Sequence, residues 1–584
     1  MQLHRDVFVA LATIAWADGE VKPPEADALL AAARVCGLAG ADLDAVVAAL
    51  KERTPLGTLA GLQLDADARA FVYAIAVWLT KVDGSVVDEE LESVAKIAEQ
   101  LRISEQERLL AMSVRLLPGS GEADLLELAR RITTPRTTSV EDAELPPGHT
   151  GWPLVGETLA LVKNPFAFVS ERVAKFGRVF RTNVMSRDTI VIAGPDAAEL
   201  WLDGDRLVRD GGMFDHVFGL FGGYSLPSLD GQAHRTRKAQ VMAAFGRSAL
   251  ESYLPAVQDA VAAALARFHA KPGQPWIPEL RALAIEGIAR NMLGIGRGPE
   301  LDKLVADYEI VTTGFGAVPV SVPGSTYYRA SQAKDRLITF LRARIRECRA
   351  SPTDDGCSRM LAAVAPDGTT LDDDAATLEL YHIFLAGYIV FAELAGFVMR
   401  VGEALETRGE LQRELDTAPR RPSFVELSSL PLLARVIDET KRITPMLPLQ
   451  FARAKQTFVW QGMRIPEGWV VCFALREHHV LPEVWPIPER FDPDRFLDAN
   501  VRARHPHAFA PQGPGPLTGH KCAGFDYATL FMKVFAFELI RGYRWSVPMQ
   551  DLAYDWRRLP PEPKGGLFVD LERYGTAAAD VSVR

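Results

Sequence analysis

The chain has 584 residues, 48% of them hydrophobic and 24% charged, a composition that excludes disordered, collagen-like and disulfide-scaffold chains and supports more than one hydrophobic core. Its formal net charge of −10 gives no footprint for non-specific polyphosphate binding, so nucleic acid is not an expected partner. Five scattered cysteines, Cys36, Cys348, Cys357, Cys472 and Cys522, fit a reducing cytoplasm better than a disulfide framework or a spaced zinc site.

The opening residues lack the basic, apolar and small-residue order of a signal peptide. The most apolar run, Phe71 to Leu79, is too short to cross a bilayer, so no transmembrane segment is expected and the protein is read as cytoplasmic. Residues 5–35 and 68–115 carry apolar positions at three- and four-residue spacing with much alanine, which predicts amphipathic helices and an all-helical region over 1–131. Within it, Ala17-Asp-Gly-Glu-Val-Lys-Pro-Pro-Glu25 is echoed by Val82-Asp-Gly-Ser-Val-Val-Asp-Glu-Glu90. Both copies read Asp-Gly-x-Val-x-x-x-Glu. An Asp-Gly turn that ends one helix and starts the next accounts for the pattern. The other reading gathers Asp18, Glu25, Asp83 and Glu90 as oxygen ligands of a hard cation, although the spacing is not that of an EF-hand loop. The duplicated helix-turn-helix resembles the TerB-like domains associated with tellurite resistance, which implies an interaction or sensory module rather than chemistry.

Residues 132–148 are polar, rich in Pro and Thr and without period, the composition of a linker. Beyond it, over 149–584, strand-like segments at 178–184 and 189–193 lie among long helical stretches at 248–270, 329–350, 371–400 and 526–541. The fold class expected is mainly α, an all-helical domain followed by a mainly helical α+β domain.

The richest segment runs from Phe509 to Asp526, Phe-Ala-Pro-Gln-Gly-Pro-Gly-Pro-Leu-Thr-Gly-His-Lys-Cys-Ala-Gly-Phe-Asp. It places Cys522 in a Gly-rich loop just before a helix, where the helix dipole and backbone N–H groups favour the thiolate, the form that ligates metal. Upstream, Glu439-Thr-Lys-Arg442 puts an acid and a base on one helix face, and Pro488-Glu-Arg-Phe491 follows.

This order of motifs resembles the cytochrome P450 haem-thiolate enzymes over residues 146–584, from Pro146-Pro-Gly-His-Thr-Gly-Trp-Pro to Pro560-Pro-Glu-Pro-Lys-Gly-Gly-Leu567. The resemblance implies haem b as cofactor with Cys522 as the axial iron ligand. It implies a buried ion cluster of Glu439, Arg442 and Arg490 with a structural role. His234, Lys238, Arg453 and His520 match positions that contact the haem propionates, and Arg237 is read as a salt-bridge residue. The central helix departs from the family pattern over the distal pocket residues Ala386, Gly387, Ile389 and Val390. Ile389 stands where an acid is usual and Val390 where an alcohol is usual, and neither side chain relays a proton. Glu393, a turn further on, is the next acid. His382 and Tyr388 are polar groups on this stretch, read as core or rim residues.

The Cys loop also resembles that of bacterial fatty-acid peroxygenases of the same family, yet the Arg-Pro they use to hold a carboxylate is missing from His382-Ile-Phe-Leu-Ala-Gly-Tyr388. Three functions follow from the resemblance. The first is an oxidoreductase, monooxygenase or peroxygenase, that inserts oxygen into a hydrophobic or lipid-like small molecule, using peroxide or O2 with electrons from a separate ferredoxin or flavoprotein. The second is an isomerase or dehydratase acting on a peroxide-like or N–O substrate without external electrons. The third is a haem-bound sensor or scaffold without turnover.

Overall fold

A computed structural model of the chain describes residues 3–16, 20–52, 66–80, 88–101, 103, 140, 143–152, 156–497, 506–556 and 558–574. It divides into two compact units, 1–142 and 143–584.

The described elements of the first unit are all helices: α1 (Arg5–Ala15), α2 (Pro23–Val35), α3 (Ala41–Lys51), α4 (Ala66–Leu79) and α5 (Asp88–Gln100). Helix α1 presents Val7, Leu11 and Ile14 on one buried stripe, the period that the apolar spacing predicts. Helix α2 starts on a proline, where the missing N–H would have had no helical partner, and the Glu25 carboxylate accepts from the Lys22 N–H at 2.9 Å. Gly37 and Gly40, at φ 87° and 54°, make the turn into α3. Phe8, Leu29, Val46, Phe71 and Ile97 meet in one core.

The second unit combines many helices with a five-stranded sheet. Residues from Ala143 onward join it: the Glu144 carbonyl accepts from the Arg464 N–H, and Gly148 bridges to Arg181. The sheet uses β1 (Val179–Val184), β2 (Arg187–Ile192), β3 (Leu207–Val208), β4 (Leu449–Ala454) and β7 (Val470–Ala474), in the order β1-β2-β7-β4-β3. A hairpin of β5 (Phe458–Trp460) and β6 (Met463–Ile465) projects between β4 and β7 in sequence. Strands β2 and β7 pair in parallel with Thr189 opposite Val470, and every other pair in the sheet is antiparallel. Strand β7 is buried on both faces, as its uninterrupted Val-Val-Cys-Phe-Ala reads.

Six helices of this unit frame the site: α6 (Gly231–Met242), α7 (Ile277–Leu293), α8 (Asp373–Tyr388), α9 (Phe391–Glu403), α10 (Pro431–Ile443) and α11 (Phe525–Gly542). The sequence predicts one helix over 371–400, and the structure divides it into α8 and α9. At the junction the Val390, Ala392 and Glu393 N–H groups bond three residues back, to Gly387, Ile389 and Val390, so the helix tightens for one turn. Gly387 lies against Ile288 of α7, where a Cβ would come within 3.0 Å. The junction is therefore packed closely against α7.

The ion cluster forms with one member changed. Glu439 and Arg442 are fully enclosed and bond through two contacts of 2.6 and 2.8 Å. Arg442 also donates to the carbonyls of His479 and Pro488, and Glu439 accepts from the Asp492 N–H. Arg490 does not supply its side chain, which is exposed; only its carbonyl reaches Arg442, at 3.5 Å. The single-turn helix Pro493–Phe496 instead carries Arg495 to 3.4 Å from Glu439. Arg442→Leu would leave a buried carboxylate short of its main partner and should cost about 3–5 kcal/mol. Arg490→Ala should stay within about 0.5 kcal/mol. Midpoints of denaturant unfolding compare the two, and an Arg490→Ala loss equal to that of Arg442→Leu would contradict this arrangement.

Candidate active site

The second unit encloses a cavity of about 330 Å³. Met213, Phe214, Phe245, Ile288 and Phe451 give it a largely apolar wall. Cys522 lines it from the Gly-rich loop, whose Gly513 and Gly515 adopt φ of 96° and 90°. A Cβ on Gly515 would press against the end of the Leu202 side chain, which can shift, so it is the backbone conformation that favours glycine there. The Cys522 N–H donates to the Gln512 carbonyl at 3.1 Å, and helix α11 begins three residues later. Burial pushes the Cys522 thiol up, while the Gly524 N–H and the charges of Lys238 and Lys441 favour the thiolate. The cavity wall includes none of the other four cysteines.

A polar arc borders the thiol. The rings of His234 and His520 lie 3.9 Å apart, one from α6 and one from the Cys loop. Burial, with the nearby charge of Lys238, lowers the His234 pKa to about 4, and burial beside Arg209 lowers that of His520 to about 2, so both rings are neutral. Lys238 donates to the Lys521 carbonyl. Arg453, expected beside them, is absent from the wall; β4 aims its side chain at the Asp210 carbonyl, 3.3 Å away.

Arg209 is the cation that lines the cavity in its place. Its guanidinium covers the Trp201 ring at 4.1 Å and donates to the Trp201 carbonyl at 2.6 Å. Burial lowers its pKa to about 10, against the opposing field of Asp230. Asp230 is occupied by the backbone N–H groups of Arg209 and Asp210. Among the described residues no carboxylate comes within ion-pair distance of Arg209 or Lys238. Two buried cations on one cavity wall call for an anionic ligand, because an uncompensated buried charge is costly. A flat cofactor with two carboxylates and a metal that takes thiolate meets both demands of this donor set, the paired cations and the adjacent sulfur. Arg209 sits in a short strand-to-loop segment without a motif, and nothing in the sequence marks it.

Another part of the lining comes from α8 and the turn after it. Ala386, Gly387, Ile389 and Val390 all line the cavity, as does His382. Tyr388 points away into the core beside Tyr308 and Phe391. Glu393 is unavailable to the cavity, since it is fully enclosed and paired with the equally enclosed Lys441 at 3.1 Å. Glu379, which the sequence reading passed over, also lines the wall and binds Arg237 at 2.8 Å and the Leu226 N–H at 2.8 Å. An acid inside so apolar a helical run was the available signal.

In the first unit, Asp18 and Asp83 lie outside the described residues, as does the side chain of Glu90. Glu25 is the capping residue of α2. The described residues contain no group of three or more side chains placed to hold a metal ion.

Burial raises the Glu379 pKa from 4.5 to about 7, with Arg237 opposing the shift. A carboxyl raised in the folded state contributes stability that is complete below the unfolded value and lost as pH rises through the folded one. Unfolding midpoints of wild type should therefore fall relative to Glu379→Gln as pH increases from about 4.5 to about 7. A constant difference across that window would contradict the shifted carboxyl.

The cytochrome P450 family model matches residues 146–557. Abscisic acid 8'-hydroxylase 3 of Oryza sativa subsp. indica is 29% identical over 456 residues, covering 75% of this chain and 88% of the relative. Cytochrome P450 26A1 of Danio rerio is 27% identical over 423 residues, 69% of this chain and 85% of its own. The retinoic acid-bound structure of cyanobacterial CYP120A1 superposes with a TM-score of 0.68 at 26% identity, covering 74% of this chain and 99% of that one. The myristic acid-bound structure of CYP152N1 shares the fold with a TM-score of 0.62 at 21% identity, covering 74% and 99%. Members of this family bind haem b through a cysteine thiolate. With the motif order, the fold and a thiol beside unpaired buried cations all in one unit, the chain belongs to the cytochrome P450 family and is an oxidoreductase.

Proposed function

We propose that the enzyme inserts an oxygen atom into a hydrophobic, lipid-like small molecule held in this cavity, with Cys522 as the axial ligand of haem iron. The observation that carries the reading is that the Cys522 thiol lines one largely apolar cavity with Arg209 and Lys238, buried cations that have no ion-paired carboxylate among the described residues. Haem with an axial thiolate supplies the O–O cleavage and oxygen transfer. Arg209 and Lys238, with His234 and His520, would hold the propionates. The apolar wall would orient the substrate and exclude water. The names of the relatives, which mention abscisic, retinoic and myristic acids, support a lipid-like substrate.

The lining from α8 and the turn after it carries Ile389 and Val390 where a proton relay would stand, and Glu393 is locked to Lys441. Ile389 and Val390 supply no acid or alcohol for a proton relay, so a route from either peroxide or O2 would need its proton from another group. Five free cysteines support a reducing, cytoplasmic setting. For the first unit we infer a TerB-like interaction module. Its support is the duplicated Asp-Gly motif between helices, and the capping role of Glu25 favours the turn reading of that motif.

Four measurements test these assignments. The reduced, CO-bound protein should show the red-shifted Soret band of thiolate ligation, and Cys522→Ser should lose it; retention of the band would refute the ligand assignment. The double change Arg209→Leu and Lys238→Leu should lower haem content per chain several-fold, since together they remove the charge complement; unchanged content would refute the propionate assignment. Assays with peroxide alone, or with NADPH and surrogate redox proteins, should yield oxygenated product, and product with peroxide alone would select the peroxygenase reading. Turnover only with NADPH and surrogate redox proteins would select the O2 reading, product with neither would select the isomerase, and none under any condition would select the sensor. Titration of the full chain with Ca²⁺ should release no heat if the Asp-Gly motifs are turns.

A further inference from the structure

His382 is a group that the chemistry at Cys522 does not use. Helix α8 turns Glu379, His382, Ile383 and Ala386 to the cavity, one face of the helix at three- and four-residue spacing. Glu379 is consumed by Arg237 and Leu226. The His382 ring rests against Phe221 at 5.5 Å, and its Nδ1 is enclosed without a hydrogen-bond partner. Burial lowers its pKa to about 4, so the imidazole is neutral, with one nitrogen protonated.

The enclosed nitrogen decides the tautomer. An orphaned N–H buried in protein is rarer than an undersatisfied acceptor, so Nδ1 keeps its lone pair and the proton resides on Nε2. The ring lines the cavity, which leaves the Nε2–H edge as the one able to meet a ligand. The side-chain oxygens of Gln450 and Gln512 are likewise without partners, but they sit at the Cys522 loop, Gln512 within it and Gln450 against Gly513. His216, the other neutral ring of the wall away from Cys522, packs beside Phe214 and Tyr327.

Among the described residues, the cations of the cavity are engaged elsewhere: Arg237 pairs with Glu379, Lys521 lies over the Phe525 ring beside Cys522, and Arg209 and Lys238 are assigned to the cofactor. We propose that His382 is a specificity-determining residue that donates a hydrogen bond from Nε2 to one uncharged acceptor oxygen, a ketone, ether or hydroxyl, of an otherwise apolar substrate. This deepens the oxygenase reading and rests on it.

Spin-state titration of the haem-loaded enzyme, a measurement of binding rather than turnover, tests the assignment with three probes of one chain length: dodecane, 2-dodecanone and dodecanoate. Wild type should bind the ketone about tenfold more tightly than the alkane, the net value of one buried hydrogen bond, and should disfavour the carboxylate. His382→Phe should abolish the ketone preference while leaving the alkane unchanged, and His382→Gln, which keeps an N–H donor, should restore part of it. An unchanged preference in His382→Phe would overturn the proposal, as would a wild type that binds dodecanoate best. The CO-bound spectrum of each variant serves as control: loss of the thiolate band in wild type speaks against the haem-thiolate reading itself, whereas a normal band with unchanged preferences removes only the role of His382.

Discussion

Arg209 and Lys238 stand in the wall of a largely apolar cavity, and among the described residues no carboxylate lies within ion-pair distance of either. Protein interiors tolerate such charges when another molecule completes them. Around this constraint the neighbouring features find a common reason. Asp230 gives its oxygens to backbone N–H groups and acts on the guanidinium only through its field, without an ion pair. The two histidines are stripped of charge by burial and by the cations themselves, which makes them neutral hydrogen-bonding groups rather than further repulsive charges. The Gly-rich loop brings a sulfur to the same cavity because two of its residues adopt a backbone conformation that favours glycine. Each part is ordinary by itself; together they describe a seat for a dianionic, thiolate-ligated cofactor.

The lining from α8 and the turn after it shows a different economy of charge. The junction between α8 and α9 is the place where the helix tightens, and its side chains there are Ile389 and Val390. Polar groups near by are either neutralised by a partner or enclosed. Glu379 is held by Arg237, Glu393 by Lys441, and Tyr388 lies in the core. The result is a largely apolar surface in which the His382 Nδ1 is enclosed without a hydrogen-bond partner. A wall of this kind discriminates by shape and by one hydrogen bond, since the loss of a lone polar contact in an apolar site is felt in full.

Behind the Cys loop, two enclosed ion pairs, Glu439 with Arg442 and Glu393 with Lys441, fasten α9, α10 and the Pro488–Asp492 segment. Both partners of each pair are buried, so removing one exposes the other to the full cost of an unmatched charge. The cluster specifies where the loop sits, and through the loop where the thiol sits.

Much of this was legible in the chain itself. The Gly-rich Cys522 loop, the Glu-x-x-Arg pair and the strand and helix spans follow from local chemistry: turn glycines, helix-face spacing and apolar period. His234, Lys238 and His520 were recognisable by motif, and the structure does bring them to the cavity. What the sequence could not decide were matters of tertiary approach. Arg495 rather than Arg490 completes the ion cluster because a one-turn helix rotates it inward. Arg209 rather than Arg453 reaches the cavity because strand β4 aims Arg453 at a loop carbonyl. The apolar period of 371–400 predicted one helix, since period alone cannot report a turn tightened by packing against Ile288. The sequence by itself determined the elements and the thiol-bearing loop, because those depend on neighbours in the chain. Only the tertiary structure decided which charges remain unpaired and which ring faces the cavity, because pairing and burial depend on residues brought together from distant segments.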